Sequence, residues 1–207
     1  MDLLRQPMEE GSITVSRLNQ TVVFPAKTMI AAAMNPCKCG FFPDLGKCRC
    51  TPTQIRRYLN RVSGPFLDRI DIGVEVPRQD LGMMTAEKNI DEGSFPQTEQ
   101  RNSSAVMRAR VMEARARQEK RFADESISYN SQMTRRQIEE YCRLSGEDAV
   151  FLEKVERQQG ISARGHGKIL KVARTLADLD GQAEIGRTQL AEAIGFRSFE
   201  KKYWGSL

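Results

Sequence analysis

Apolar positions first alternate along this chain, then fuse into one unbroken run, and finally settle into helical spacing. Residues 2–10 read as a helix that Gly11 closes as a C-terminal cap. Ile13 and Val15, then Val22 and Phe24, alternate with polar neighbours on either side of residues 16–20, predicting a hairpin that Pro25 ends. The run Met29-Ile30-Ala31-Ala32-Ala33-Met34 has no polar position and stops at Asn35. It predicts a buried strand over 29–34 that delivers Asn35 at its end, where ligands of α/β sheets bind. Thr51-Pro52-Thr53 places a proline at a first helical position, so a helix is expected to about residue 62, where Ser63-Gly64-Pro65 breaks it. A helical turn over 66–69 and a strand over 70–76 follow.

Beyond residue 77 the pattern fades into Asp, Gly, Gln, Ser and Thr, the composition of a linker. Helical signals then take over from Ser103. Thr134-x-x-Gln137 and Ser145-x-x-Asp148 resemble capping boxes. Ile169, Val172, Ala173, Leu176 and Ala177 form one apolar stripe on a helix over 163–179, and Leu190, Ala191, Ala193 and Ile194 mark a last helix. The expected layout is an α/β domain over 1–77, a linker over 78–100 and an all-α domain over 101–207.

With 207 residues and ordinary apolar content, the chain can bury a real core. No apolar stretch approaches the roughly 20 residues of a membrane helix, and the first residues lack the form of a signal peptide. A cytoplasmic, reducing compartment is therefore expected. The net charge of +5 is matched by one segment, 101–121, where seven basic residues face only Glu113 and Glu119. Such a stripe is either a solvated helix face or an attractor of phosphate backbones.

Four of the five cysteines lie between Cys37 and Cys50, in the array C-x-C-x8-C-x-C. In a reducing compartment clustered cysteines favour metal over disulfides. Cys37, Cys39, Cys48 and Cys50 are a candidate set of four thiolates for one structural Zn²⁺, with Gly40, Pro43 and Gly46 letting the loop fold back. A reduced metal-free cluster, disulfides and another soft metal remain open. Four protein ligands would leave no position for catalysis. Cys142 sits alone in an apolar helical stretch and reads as core, and with a single histidine, His166, no histidine-based triad is available.

Several segments together carry a resemblance: Asp2-Leu3-Leu4-Arg5-Gln6-Pro7-Met8-Glu9-Glu10-Gly11, Phe24-Pro25-Ala26, Ala33-Met34-Asn35-Pro36-Cys37, Gly64-Pro65-Phe66-Leu67-Asp68-Arg69-Ile70-Asp71, and Lys171-Val172-Ala173-Arg174-Thr175-Leu176-Ala177-Asp178-Leu179. In this order they resemble the magnesium-chelatase-like AAA+ ATPases of the YifB/ComM type. The resemblance implies the C-terminal part of such a protein: a partial AAA+ core followed by a helical lid. Family members carry a Gly-rich phosphate loop and an acidic metal-binding strand upstream. No G-x-x-x-x-G-K-[ST] occurs in these 207 residues, so this polypeptide alone is expected not to hydrolyse ATP.

The resemblance also implies roles. Asn35 is similar to the first sensor, a neutral amide facing the γ-phosphate or attacking water. Arg69 is similar to the arginine finger supplied to a neighbouring subunit of a hexamer, a task that suits an always-charged bidentate guanidinium. Arg164 resembles the second sensor, at the start of a lid helix. In related hexameric helicases a hairpin enters the central pore, which makes Arg17 and Lys27 candidate contacts to DNA. ATP and Mg²⁺ are the implied cofactors of the longer family proteins. A ring-forming DNA motor is the leading expectation. A chelatase-type ATPase that remodels a protein partner and a non-catalytic zinc-bearing interaction module are the alternatives.

Overall fold

The computed structural model describes residues 4–18, 20–77 and 103–205. These form two compact units, one from residues up to Gly73 together with those from Phe196 onward, the other from Val74–Gly195. The linker expected over 78–100 lies outside the described residues.

In the first unit, helix α1 (Arg5–Glu10) ends at Gly11, whose left-handed φ of 60° lets its N–H bond Pro7 O at 3.1 Å. Strands β1 (Ser12–Arg17) and β2 (Gln20–Pro25) pair antiparallel, Ile13 opposite Phe24 and Val15 opposite Val22. These four share one face of the ribbon, and all four are exposed. Helix α2 (Pro52–Leu59) starts in a full capping box between Thr51 and Gln54, and the short helix α3 (Gly64–Leu67) follows Ser63.

The strands expected over 29–34 and 70–76 do not form. Both segments are irregular, and Ala31 to Asn35 lie exposed, as do Ile72, Val74 and Val76. A central strand exists only where neighbours take up its N–H and C=O groups. Among the described residues the only sheet is the two-stranded ribbon. The full α/β core is therefore not present in these residues.

The last helix, α9 (Ser198–Trp204), packs with the first unit, whereas the sequence layout grouped it with the helical domain. Its aromatics explain the difference. Phe199 and Trp204 pack on Val62, Phe66 and Leu67, while Tyr203 and Trp204 cover Cys37, Ile55 and Leu59. Polar bonds fix the segment: Gly73 N–H to Phe196 O at 2.9 Å, Arg197 Nη1 to Ile70 O at 2.8 Å, and Trp204 Nε1 to Leu59 O at 3.1 Å. Gly73 has to be glycine here, because a Cβ would fall 2.2 Å from the Phe199 ring.

The second unit is helical: α4 (Ser104–Arg121), a 3₁₀ turn (Asn130–Gln132), α5 (Arg135–Tyr141), α6 (Gly146–Gln159), α7 (Ala163–Leu179) and α8 (Arg187–Gly195). The α7 stripe is the spine of its core, with Ile169, Ala173 and Ala177 buried against Leu152, Leu190 and Cys142. Asp178, fully buried, accepts from Arg121 at 2.9 Å and Asn130 at 2.8 Å, and Arg174 lies 3.1 Å away. The basic segment of α4 is thus partly structural. Arg121 holds Asp178, Arg117 bonds Asp178 O at 2.9 Å, and Arg115 stacks 3.8 Å over Tyr129. Among the described residues no helix is long and apolar enough to cross a membrane.

Candidate functional site

The cysteine loop is folded by its own turns. Gly40, at a left-handed φ of 78°, donates to Cys37 O at 3.1 Å, and Asp44 donates to Phe41 O at 2.8 Å. Asp44 then receives Gly46 N–H at 3.0 Å on its carboxylate and Cys48 N–H at 2.8 Å on its carbonyl. Those turns return Cys48 to Cys37. The cluster rests on the apolar face of α2 through Ile55 and Leu59, with Phe42 edge-on to Tyr203 at 6.1 Å.

All four sulfurs lie within 4.8 Å of one another, with Cys37–Cys39 at 3.3 Å, Cys39–Cys48 at 3.6 Å and Cys37–Cys48 at 3.8 Å. A tetrahedral zinc with bonds of about 2.3 Å holds its sulfurs about 3.8 Å apart. The cage therefore has the right size for one ion. Cys37 is fully buried and the other three partly so, and all are free thiols.

The electrostatics of the cage match its geometry. Burial pushes the Cys37 thiol up, but backbone N–H groups of Phe42, Phe41 and Cys39 outweigh it and lower it overall. Backbone N–H groups of Phe41 and Arg49 bring Cys39 down to about 6. At Cys48 a bond from the Cys50 backbone is outweighed by burial and the neighbouring sulfurs, which push it up to about 11. Cys50 is raised in the same way, its bond from the Cys39 backbone being overcome by burial and the same sulfurs. Sulfurs that resist ionising beside one another are a site short of positive charge, which a dication supplies.

Of the other sequence-predicted residues, Asn35, Arg69, Arg17 and Lys27 belong to the first unit and Arg164 to the second. Asn35 is exposed on the irregular segment just before the cage. Arg69, its side chain only 11% exposed, pairs with Glu9 at 2.7 Å and donates to Pro65 O, tying α1 to α3. Arg164 stands in the other unit, exposed in the first turn of α7 behind the Ser162 cap, which accepts Gly165 N–H at 3.1 Å. His166 in the same turn lies 2.7 Å from Glu156. Arg17 closes the ribbon opposite Gln20, whereas Lys27 lies against Gly11 at its base. About five residues at about 3.4 Å each, roughly 17 Å of strand, separate those two ends.

Sequence reasoning did not single out two features of this unit. One is the C-terminal aromatic cover on the cysteine loop, visible as Phe199-x-x-x-Tyr203-Trp204. The other is the solvent face of α2 and of the turn after it, with Arg56, Arg57 and Arg61 exposed. Its signal was the absence of any acid between Asp44 and Asp68.

Comparison with known proteins adds the family. Residues 1–84 match the family described as magnesium chelatase, subunit ChlI, and residues 101–197 match its C-terminal domain. The chain belongs to this magnesium-chelatase-like family. It is 41% identical over 199 residues to the competence protein ComM of Haemophilus influenzae, covering 96% of this chain and 36% of that relative. It is 39% identical over 201 residues to YifB of Escherichia coli, covering 97% of this chain and 37% of that protein. A Mycobacterium bovis relative is 30% identical over 197 residues, covering 95% of this chain and 37% of its own length. The chain thus spans a little over a third of the magnesium-chelatase-like relatives it matches.

Proposed function

We propose that this chain is the sensor, arginine-finger and lid portion of an ATP-driven, ring-forming motor that acts on DNA in the reducing cytoplasm. Membership of the magnesium-chelatase-like family, through both of its domains, carries the reading. The relative named a competence protein and the net charge of +5 support DNA over a protein substrate. In the longer protein Asn35 and Arg164 would face the nucleotide, ATP with Mg²⁺, and Arg69 would reach a neighbouring subunit's site in a hexamer. These 207 residues hold no phosphate loop, so the chain alone does not turn over ATP. Cys37, Cys39, Cys48 and Cys50 hold one structural Zn²⁺ that keeps the loop after Asn35 folded against α2.

The test uses a protein of full family length. Arg69→Ala should lower ATP turnover by about 10³-fold or more while nucleotide binding persists. Glu9→Gln separates the roles of the arginine, since it removes the 2.7 Å ion pair and leaves the guanidinium. Near-normal turnover in Glu9→Gln supports the finger. Equal loss in both variants means that Arg69 acts only as a strut.

A further inference from the structure

Helix α2 has two faces of opposite chemistry. Ile55 and Leu59 are buried beneath the cysteine cage. Thr53, Arg56, Arg57, Asn60 and Arg61 lie on the other side and line a shallow open depression of about 330 Å³. All five are exposed, and among the described residues none of the three arginines carries an ion pair with a carboxylate. The sequence holds no acid from Leu45 to Leu67, and Lys47 and Arg49 precede the helix. Arg56 and Arg57 sit in the last turn of α2, and Arg61 in the turn that follows it. One cation near a helix C-terminus complements its dipole, but three on one face exceed that need.

We infer that Arg56, Arg57 and Arg61 form a phosphate-binding face for the DNA backbone. It is separate from the hairpin cations, and the cysteine cage holds it rigid from beneath. Arg56 and Arg57 lie in the last turn of α2 and Arg61 two residues past its end, so the three side chains spread over roughly 8 Å. Duplex DNA carries one charge per about 1.7 Å of its axis, so about five phosphates fall within that reach. Exposed guanidiniums with no carboxylate paired to them have no internal ion pair to break before they bind phosphate oxygens. Contacts to phosphate oxygens carry no sequence information, so those that the three guanidiniums make position the strand rather than select its sequence. The inference rests on the reading of DNA as the partner and on nothing about ATP.

The experiment measures binding of the 207-residue chain to a fluorescein-labelled 30-base-pair duplex of arbitrary sequence, as a function of salt. The Arg56→Gln, Arg57→Gln, Arg61→Gln triple variant should keep its thermal midpoint, because all three side chains are exposed. Its slope of log affinity against log salt should shrink by about 2.7, that is about 0.9 per lost phosphate contact. Between 50 and 200 mM salt this makes the wild-type chain lose about 40-fold more affinity than the variant. The corresponding triple lysine variant should restore the slope. An unchanged slope with binding retained overturns the face and leaves DNA as the partner. An unchanged slope with a lower sedimentation mass makes the face a contact between subunits, which also overturns it. No binding by the wild-type chain at 50 mM salt overturns both the face and the DNA reading.

Discussion

Removing zinc should destabilise the first unit and leave the second unchanged. Besides the sulfur cage, the first unit's buried apolar core among the described residues is small: Ile55, Leu59, Val62, Phe66 and Leu67. Cores of this size need a staple. Structural zinc bound by thiolates contributes apparent free energies of about 10–16 kcal/mol, so a Kd of about 1 nM, worth about 12 kcal/mol, is within reach. At about 1 μM free zinc the ion then stabilises the fold by about 4 kcal/mol. With a urea slope of about 2 kcal/mol per molar, its removal moves the midpoint down by about 2 M. Trp204 is the only tryptophan and belongs to this unit, bonded to Leu59 O at 3.1 Å and packed edge-on to Phe199 and Tyr203. Its emission therefore reports the first unit, while helical circular dichroism is dominated by the second. Chelation should shift the emission to the red and lower its urea midpoint, with most of the helical signal retained. Zinc binding at pH 7.5 should also release at least two protons, because the Cys48 thiol lies at about 11 and Cys50 is raised as well, while Cys39, at about 6, is already ionised. Titration calorimetry in buffers of different ionisation enthalpy counts them. Less than about half an equivalent of zinc after reducing purification, a midpoint shift below about 0.5 M, or a proton count near zero would each refute the four-thiolate site.

In the second unit, Asp178→Asn should cost about 3–5 kcal/mol, because it leaves the buried Arg174 and the partly buried Arg121 without their carboxylate. Asp148→Ala, whose partner Arg187 is half exposed, should cost about 1 kcal/mol or less, and urea denaturation compares the two. Burial raises the Asp178 carboxyl, but bonds from Arg121 and Asn130 and the charge of Arg174 overcome it and lower it overall. A lowered folded value gives stability that is complete above the ordinary carboxylate pKa of about 3.9 and lost as pH falls through the native value. Acid should therefore melt this unit below about pH 4, and Asp178→Asn should flatten the dependence, as followed by circular dichroism. Ser162→Ala removes the oxygen that caps Gly165 N–H and should cost about 1 kcal/mol, measured by the same urea method.

Legibility in the sequence followed whether the needed partners lie nearby in the chain. The helix over 163–179 has the bounds its apolar stripe predicts, because its Ser162 cap and its stripe are local signals and its packing partners lie within the same unit. The Thr134 cap was readable for the same reason, since its box closes over three residues. The cysteine cage was readable as well, because a C-x-C-x8-C-x-C loop with turn residues inside has few other ways to return on itself. Asp178 was not identified as a hub. It appeared only as one residue of a family motif, and its partners Arg121 and Asn130 lie 57 and 48 residues away.

The apolar run over 29–34 failed as a prediction for a reason that bears on function. Its composition is that of a strand buried on both faces, yet Ala31 to Asn35 are exposed, and so is the apolar face of the neighbouring ribbon at Ile13, Val15, Val22 and Phe24. Two-stranded ribbons are marginal in water, and an apolar run with no paired neighbour has no reason to extend. Hydrophobic composition records the environment in which a segment was selected, and pairing records what is there to pair with. The chain spans a little over a third of the relatives it matches. The exposed run and the exposed ribbon face are apolar surface with no further strand paired to them among the described residues, and Asn35 stands at the end of that unpaired run.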